Sequence, residues 1–398
     1  MDIQHEPVAV AVSGGADSLY SLISLREKGY DAFGLHGIFL TPESPDGEDA
    51  AAAMRQRLAE ACARIGAPLH VIDLREDFTR LVIRPFVEAY AAGLTPNPCA
   101  HCNAAVKFGL LQDEALRLGA QRLATGHYAA LSFEDDGRAG TTPARPGPAG
   151  SGSVHGGSSA CPGGLMPMLC QGEDASKDQS YFLGLVPLSR LARAMFPLAR
   201  ARKKEVLETL ARLGEAVPQP GESQEVCFVP GDEYRDFVPR MAERFGIKLP
   251  GPGPMLLDDG VSRDIRLGTH QGLWRYTEGQ RRGLGVAWRE PLYVLAKERE
   301  SGVLRLGPKV ALHASGCECD TVNYLLPYES WPDAVLVKTR YRERPKEAVV
   351  KALEGGGLRI RFASADSAVA AGQIAAVYAP GPGGRLRLIA GGVIARGF

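Results

Sequence analysis

Apolar residues first gather in a short unbroken run, Val8-Ala9-Val10-Ala11-Val12, which leads into Ser13-Gly14-Gly15-Ala16-Asp17-Ser18 and then a helical pattern from Leu19 to Lys28. A run without alternation predicts a strand covered on both faces, and Gly29 stands where helices commonly end. A second apolar run spans Ala32 to Leu40, followed by an alanine-rich helix over Ala50 to Ile65 and a strand over Leu69 to Ile72. A helix over Leu110 to Leu118 and a strand Arg122 to Thr125, ending in Gly126-His127-Tyr128, repeat the alternation. Strand and helix in turn at this spacing predict a doubly wound parallel sheet. Helical patterns return at Ser189 to Met195 and at Lys203 to Leu213.

Residues 137–164 break the pattern: nine glycines, four prolines and four serines in this stretch predict a flexible surface insertion rather than packed core. Val217-Pro218-Gln219-Pro220-Gly221 reads as a hinge. From Val226 the segments are short and broken by glycine and proline. From Leu292 to the end, strand-like alternation separated by turns predicts an antiparallel β-barrel or sandwich. The expected organisation is multidomain, α/β followed by β. A doubly wound catalytic domain covers 1–221, a central linker domain 222–291, and a C-terminal β-barrel domain 292–398.

Composition changes this picture little. The 398 residues carry 46 Lys+Arg and 46 Asp+Glu, so the neutral total excludes a polycation that coats nucleic acid or anionic membrane wholesale. No apolar run approaches the roughly 18 residues of a membrane span, and acids and a proline stand where a signal peptide needs basic residues. A cytoplasmic protein with no membrane partner is expected. In a reducing compartment the eight cysteines then read as catalytic or metal-binding rather than as a disulfide framework.

The loop Ser13–Ser18 carries the sharpest chemistry. Two glycines between a strand and a helix let backbone N–H groups approach an anion closely, and the Ser13 and Ser18 hydroxyls add donors at the positive end of the helix dipole. No Gly-Lys-Ser/Thr follows, so this is not a Walker loop. It resembles the pyrophosphatase-type loop (PP-loop) of ATP-dependent enzymes that adenylate a substrate and release pyrophosphate. That likeness implies ATP with Mg2+, with Asp17 near the Mg2+–pyrophosphate. Gly126-His127-Tyr128 ends a later strand on the edge where doubly wound sheets bind ligands.

Two cysteines stand in distinctive polar loops: Cys102 in Thr95-Pro96-Asn97-Pro98-Cys99-Ala100-His101-Cys102-Asn103, and Cys227 in Glu222-Ser223-Gln224-Glu225-Val226-Cys227-Phe228-Val229. Sulfur insertion needs one thiol to carry a terminal sulfur as a persulfide and another to resolve it through a disulfide. Either cysteine alone reads equally well as a small buried hydrophobe.

SGGADS, TPNPCAHCN followed by Lys107-Phe108, ATGHYA, KDQSYFL, SQEVCFV, YTEGQRRGLG and KTRYRERP occur in this order along the chain. Together they resemble the bacterial tRNA-specific 2-thiouridylases, over essentially the whole length apart from the 137–164 insertion. The resemblance implies ATP bound by Ala11, Val12, Ser13, Gly14, Gly15, Ala16, Asp17, Ser18, Leu40 and Gly126. It implies Cys102 as nucleophile and Cys227 as the persulfide carrier. Asn97, Pro98 and Cys99 would meet the target base, while Lys177, Asp178, Gln179, Arg340 and Tyr341 would contact tRNA. A protein sulfur donor, such as a cysteine desulfurase or a sulfur-relay protein, is implied as partner.

Cys99 departs from the pattern, because the best-known members have Asp there. The change creates a CxxC, and Cys99, Cys102 and Cys227 are able to ligate three irons of a [4Fe–4S] cluster. A zinc site would need a fourth ligand such as His101 or Cys62. Cys317 and Cys319 read as incidental. Arg190, Arg193, Arg200, Arg202, Lys203 and Lys204 form one basic cluster with no acid among them. Lys338, Arg340, Arg342, Arg344 and Lys346 form a second around Tyr341, suited to phosphate contact and base stacking. Another PP-loop ligase or amidotransferase acting on a small molecule shares the loop, but gives the cysteine pair and the barrel no purpose. Its glutamine-using form needs Cys at position 2, where Asp2 stands. A non-catalytic RNA- or metal-binding module gives no purpose to an intact loop.

Overall fold

The computed structural model describes residues 6–42, 45–134, 166–215, 217, 226–229, 231, 233–366 and 368–398. The 137–164 insertion and all but Val217 of the expected hinge lie outside the described residues. The apolar runs form β1 (Pro7–Ala11), β2 (Asp31–Ile38), β3 (Leu69–Asp73) and β4 (Arg122–Ala124). Next come a hairpin of β5 (Ala129–Glu134) and β6 (Met166–Gln171), and a two-residue strand β7 (Ala194–Met195). The first sheet runs β3-β2-β1-β4-β7 with every pairing parallel. Val8, Ala9 and Val10 are fully buried, as a strand covered on both faces requires. On one face they meet Leu22, Leu25, Leu58 and Cys62 of the helices Ala16–Glu27 and Pro45–Ile65; on the other lie Val106, Phe108 and Leu111. The chain moves outward from β1 to β3 and then returns beside β1. The carboxyl ends of β1 and β4 therefore flank a switch-point crevice.

Two helix expectations need correction. The pattern over Ser189–Met195 forms only the helix Leu188–Leu191, because the open edge of β4 takes Ala194–Met195 as a parallel strand. The helix expected to begin at Leu110 begins twelve residues sooner. It runs as Pro98–Cys102, a π-helical stretch Asn103–Leu111 and Gln112–Arg117 in one continuous rod.

The central unit holds β8 (Gly253–Asp258), β9 (Arg263–His270), β10 (Leu292–Glu298) and β11 (Val303–Pro308), in the order β10-β11-β8-β9. Then β12 (Ala314–Tyr324), β13 (Val335–Lys338), β14 (Lys346–Ala352), β15 (Leu358–Asp366), β16 (Ile374–Pro380) and β17 (Leu386–Gly397) form an antiparallel barrel, closed by pairing of β12 with β17. The barrel therefore starts at Ala314, not at Leu292. β11 pairs parallel with β8 and shares the core of Met255, Leu257, Val294, Leu304 and Leu306, a long-range partnership that strand alternation cannot reveal. β6 pairs with β17, so a hairpin of the catalytic unit extends the barrel wall.

Candidate active site

The PP-loop folds on its own hydroxyls. Ser18 Oγ donates to Gly15 O at 2.9 Å and accepts from Ser13 N at 3.2 Å, and Gly14 takes φ +88°. No side chain caps the helix Ala16–Glu27 at Gly15, so an anion can take that place on the dipole. Val12 N donates to Leu35 O at 3.0 Å and Val12 O is 2.8 Å from His36 Nδ1, fixing the strand end that delivers the loop. Gly126 packs its bare Cα on the loop, because a Cβ there would lie 3.0 Å from the Asp17 carbonyl carbon and 3.1 Å from Ser18 N. Leu40, 37% exposed, stands just beyond β2 at the same edge of the sheet.

Asp17 is the polar centre of this end. Both of its oxygens lie 2.8 Å from Lys203 Nζ, and Tyr128 OH donates to Oδ1 at 2.8 Å. The basic cluster expected to face RNA thus gives up Lys203 to the nucleotide loop. The acids its own sequence lacks come from elsewhere: Asp113 pairs with Arg190, and Glu208 lies 3.6 Å from Lys204. Sequence patterning placed Tyr128, in Gly126-His127-Tyr128, at the ligand edge but carried no local signal for Lys203, which the fold brings there.

Asn97 Oδ1 accepts from Ala100 N at 3.1 Å and Pro98 occupies the first turn, so a capped helix Pro98–Cys102 presents Cys99 and Cys102 three residues apart. Cys227 comes from another segment, held by its neighbour Phe228. That buried ring meets Phe86 at 5.1 Å, Phe237 at 5.6 Å and Phe78 at 5.7 Å. Cys99 and Cys227 reach solvent and Cys102 is half-buried. Burial pushes the Cys102 thiol up to about 12 and raises Cys99 and Cys227; the Lys107 ammonium pulls against this at all three. Cys102 also feels the charge of Cys227 and of Cys99, so the three thiols lie near enough to one another to interact. Lys107, one π-turn beyond Cys102, also opposes protonation of His127, whose buried ring is held well below its ordinary value mainly by desolvation. His127 Nδ1 lies 2.8 Å from Thr125 Oγ1 and its ring centroid 6.0 Å from Phe108. The rod carrying Cys102 therefore runs from the thiols to the nucleotide edge.

Among the described residues no three His, Cys, Asp or Glu side chains are disposed around one metal ion. Cys62 is sealed in the core beneath β1, with burial raising its thiol to about 11, so it supplies no zinc ligand to the crevice. Cys317 and Cys319 are buried in the barrel wall.

The residues expected to contact tRNA divide. Asp178 is 4% exposed and accepts from Ser180 N at 3.1 Å, Ser180 Oγ at 3.0 Å, Gln171 Nε2 at 3.1 Å and Gly172 N at 3.3 Å. It is enclosed by Ser180 and by the end of β6, while the neighbouring Lys177 is half-exposed. Gln179 brackets Tyr128, accepting from its N at 3.1 Å and donating to its O at 2.8 Å. Arg340 donates to Ala368 O at 2.5 Å and Glu278 O at 3.4 Å, joining barrel to central unit. Tyr341 packs on Phe182 with ring centroids 4.5 Å apart, close behind the helix of Cys102, since Asn103 Nδ2 donates to Phe182 O at 3.0 Å.

A parallel sheet with an SGGxDS turn at its switch point, joined to two β units, defines a PP-loop nucleotide-binding protein of three parts. Family models agree part by part: the tRNA methyl transferase HUP domain matches residues 6–231, the tRNA methyl transferase PRC-barrel domain 258–308, and the aminomethyltransferase beta-barrel domain 314–394. The tRNA-specific 2-thiouridylase MnmA of Oleidesulfovibrio alaskensis is 47% identical over 394 residues, 98% of this chain and 99% of its own length. The protein of the same name from Nitratidesulfovibrio vulgaris (strain DP4) is 46% identical over 371 residues, 93% of this chain and 94% of its own. The chain belongs to the tRNA-specific 2-thiouridylase family. A solved U34-tRNA thiolase, NcsA from Methanococcus maripaludis with its [4Fe-4S] cluster, overlaps 61% of this chain and 67% of its own at 14% identity. Its TM-score is 0.31, too low to constrain the site.

Proposed function

We propose that the chain is a tRNA-uridine 2-sulfurtransferase, converting the wobble uridine of tRNA to 2-thiouridine at the expense of ATP. What carries this reading is membership of the family, joined to a helical rod that bears Cys102 at one end and whose side chains reach His127 beside the PP-loop. Ser13 to Ser18, with Ala11, Val12, Gly126 and Leu40, would hold Mg2+·ATP. Lys203, now on Asp17, would be the cation nearest the departing pyrophosphate, releasing Asp17 toward the magnesium. The uridine O2 attacks the α-phosphorus and pyrophosphate leaves. The target base must turn out of its stack to reach this pocket, where Asn97, Pro98 and Cys99 would meet it.

Sulfur arrives as a persulfide on Cys227, which is exposed to a protein donor such as a cysteine desulfurase or a sulfur-relay protein. The Cys102 thiolate attacks the inner sulfur, forming a Cys102–Cys227 disulfide and expelling hydrosulfide. Hydrosulfide adds at C2 and AMP departs with the former O2. An external dithiol then restores both thiols. Cys99, Cys102 and Cys227 are the residues that would ligate a [4Fe–4S] cluster, one iron each, while the persulfide route uses the thiols alone. Lys177, Arg340 and Tyr341 stand as the RNA-facing candidates, in a cytoplasmic enzyme. No helix among the described residues is long and apolar enough to cross a membrane.

The test is nucleoside mass spectrometry on tRNA incubated anaerobically with protein, ATP, Mg2+, a cysteine desulfurase with cysteine as the persulfide source, and a dithiol, with pyrophosphate release followed in parallel. 2-Thiouridine is the expected product. Pyrophosphate release without thiolation would move the search for an acceptor to small molecules. A Cys99→Ala variant that still thiolates supports the two-thiol route over a cluster.

A further inference from the structure

Thr95 stands two residues before the Asn97 cap of the helix that carries Cys99 and Cys102, and the other two units hold its polar atoms. From the barrel side, Ala371 O accepts from Thr95 N at 2.8 Å, and Gln373 Nε2 donates to Thr95 O at 2.9 Å and to Pro96 O at 3.1 Å. From the central unit, Lys297 Nζ donates to Thr95 Oγ1 at 3.1 Å, and Thr277 Oγ1 lies 3.3 Å from the same oxygen. Between Ala371 and Gln373, Gly372 takes φ +93° and faces the loop with a bare Cα, where a Cβ would sit 2.9 Å from Thr95 N and 3.0 Å from Leu94 Cβ.

The Lys297 side chain is 1% exposed, with its ammonium 3.5 Å from Glu278 Oε2 and donating to Tyr276 O at 3.0 Å. Burial lowers Lys297 and raises Glu278, while their mutual attraction opposes both shifts. A buried ion pair is rarely better for stability than apolar residues of the same volume. Stability alone therefore gives little reason for a charge here. What the ammonium does, and a methionine would not, is tie the central unit to Thr95.

We propose that Lys297, acting through Thr95, is a positioning residue that makes the approach of Cys102 to Cys227 depend on docking of the central unit and barrel against the catalytic unit. Gly372 sets the spacing from the barrel side. Among the described residues no hydrogen bond joins the nucleotide loop to this junction, so binding of ATP is independent of it. The inference deepens the sulfur-transfer reading and rests on it.

The test compares Thr95→Val, which keeps the shape and loses the hydroxyl, with Thr95→Ser, which keeps the hydroxyl. A double variant Lys297→Met/Glu278→Leu removes both buried charges together. Pyrophosphate release, 2-thiouridine formation and the rate of diamide-driven Cys102–Cys227 disulfide formation, read by peptide mass spectrometry, are measured on each. Thr95→Val and the double variant are expected to lose roughly tenfold to a hundredfold in kcat for thiolation and in coupling rate, as a misplacement of about 1 Å would cause. KM for ATP should stay within about twofold, and Thr95→Ser should recover most of the loss. An unchanged coupling rate in Thr95→Val or in the double variant overturns the inference, as does a KM for ATP that rises in step with the loss of coupling. If the wild type makes no thiouridine, the coupling rates still decide on the junction while the functional reading fails separately.

Discussion

The nucleotide loop occupies the consecutive residues Ser13 to Ser18, folded by hydrogen bonds among themselves and braced by one glycine, Gly126. The thiol crevice is assembled differently. Cys99, Cys102 and Lys107 come from one rod, Cys227 from a segment anchored by Phe228, and the alignment of the rod from the central unit and barrel through Thr95. A phosphate is bound by backbone N–H groups, which a short contiguous turn supplies whole. Sulfur transfer requires two thiols that approach, bond and separate again, so they belong on separate elements. Separate elements need something outside themselves to set their distance.

The comparison is sharpest if each site can be broken without the other. Cys102→Ser and Cys227→Ser should each lower 2-thiouridine formation by at least about a thousandfold, since a serine neither carries nor resolves a persulfide. Pyrophosphate release with tRNA should remain within about threefold of wild type; its collapse in either variant would mean the two sites are one. Lys203→Met is the mirror case. Losing the cation bound to Asp17 should reduce pyrophosphate release about a hundredfold. Diamide coupling of Cys102 to Cys227 should be unchanged, and a slowed coupling would break the separation from the other side.

The same contrast explains what the sequence made legible. The PP-loop, Gly126 and the parallel sheet were readable because each lies in a contiguous motif or a run with a clear period. Cys102 and Cys227 were readable through the polar loops around them, and through a resemblance that ran the length of the chain. Lys203 reads in the sequence only as one member of a basic cluster, because its partner Asp17 is distant in sequence and charge patterning sees only neighbours. Lys297 has no sequence signal, since a lysine in a strand carries no mark of being buried, and Thr95 is legible only as the start of the motif around Cys102. The barrel boundary differs for a related reason: β10 and β11 look like barrel strands until the pairing of β11 with β8 is seen.

A smaller effect separates the sites by pH. With its thiol raised to about 12 by burial, against the partial help of Lys107, Cys102 is almost wholly protonated near neutrality. Each unit of pH between 7 and 9 should raise the single-turnover rate of sulfur transfer about tenfold, because the thiolate fraction rises in that proportion. Pyrophosphate release should not follow it. Lys107→Met should displace the profile to higher pH and slow transfer at pH 8 about threefold to tenfold. A plateau near pH 8 in the wild type would mean that Cys102 ionises as an ordinary thiol. Stability runs the other way: the unfolded chain releases this proton above about 9 while the fold retains it toward about 12, so the buried thiol costs stability as pH rises through that window.

The smallest expected effect probes how self-contained the nucleotide site is. Asp178 sits beneath the segment whose next residue, Gln179, brackets Tyr128, and Tyr128 donates to Asp17. Asp178→Asn puts an NH2 group where the carboxylate accepts from Ser180, Gln171 and Gly172. One donor then faces another, and about 1–3 kcal/mol of stability should be lost. If the loop is as local as its own hydrogen bonds suggest, KM for ATP changes less than about twofold despite that loss. The salt dependence of tRNA binding should also be unmoved in Asp178→Asn, since an enclosed carboxylate neutralises no phosphate. Lys177→Ala should lower that slope by about one instead. A changed slope in Asp178→Asn would return Asp178 to the RNA-binding face, and a KM raised tenfold would show that the nucleotide site, like the thiol crevice, is set by residues far from its own chain segment.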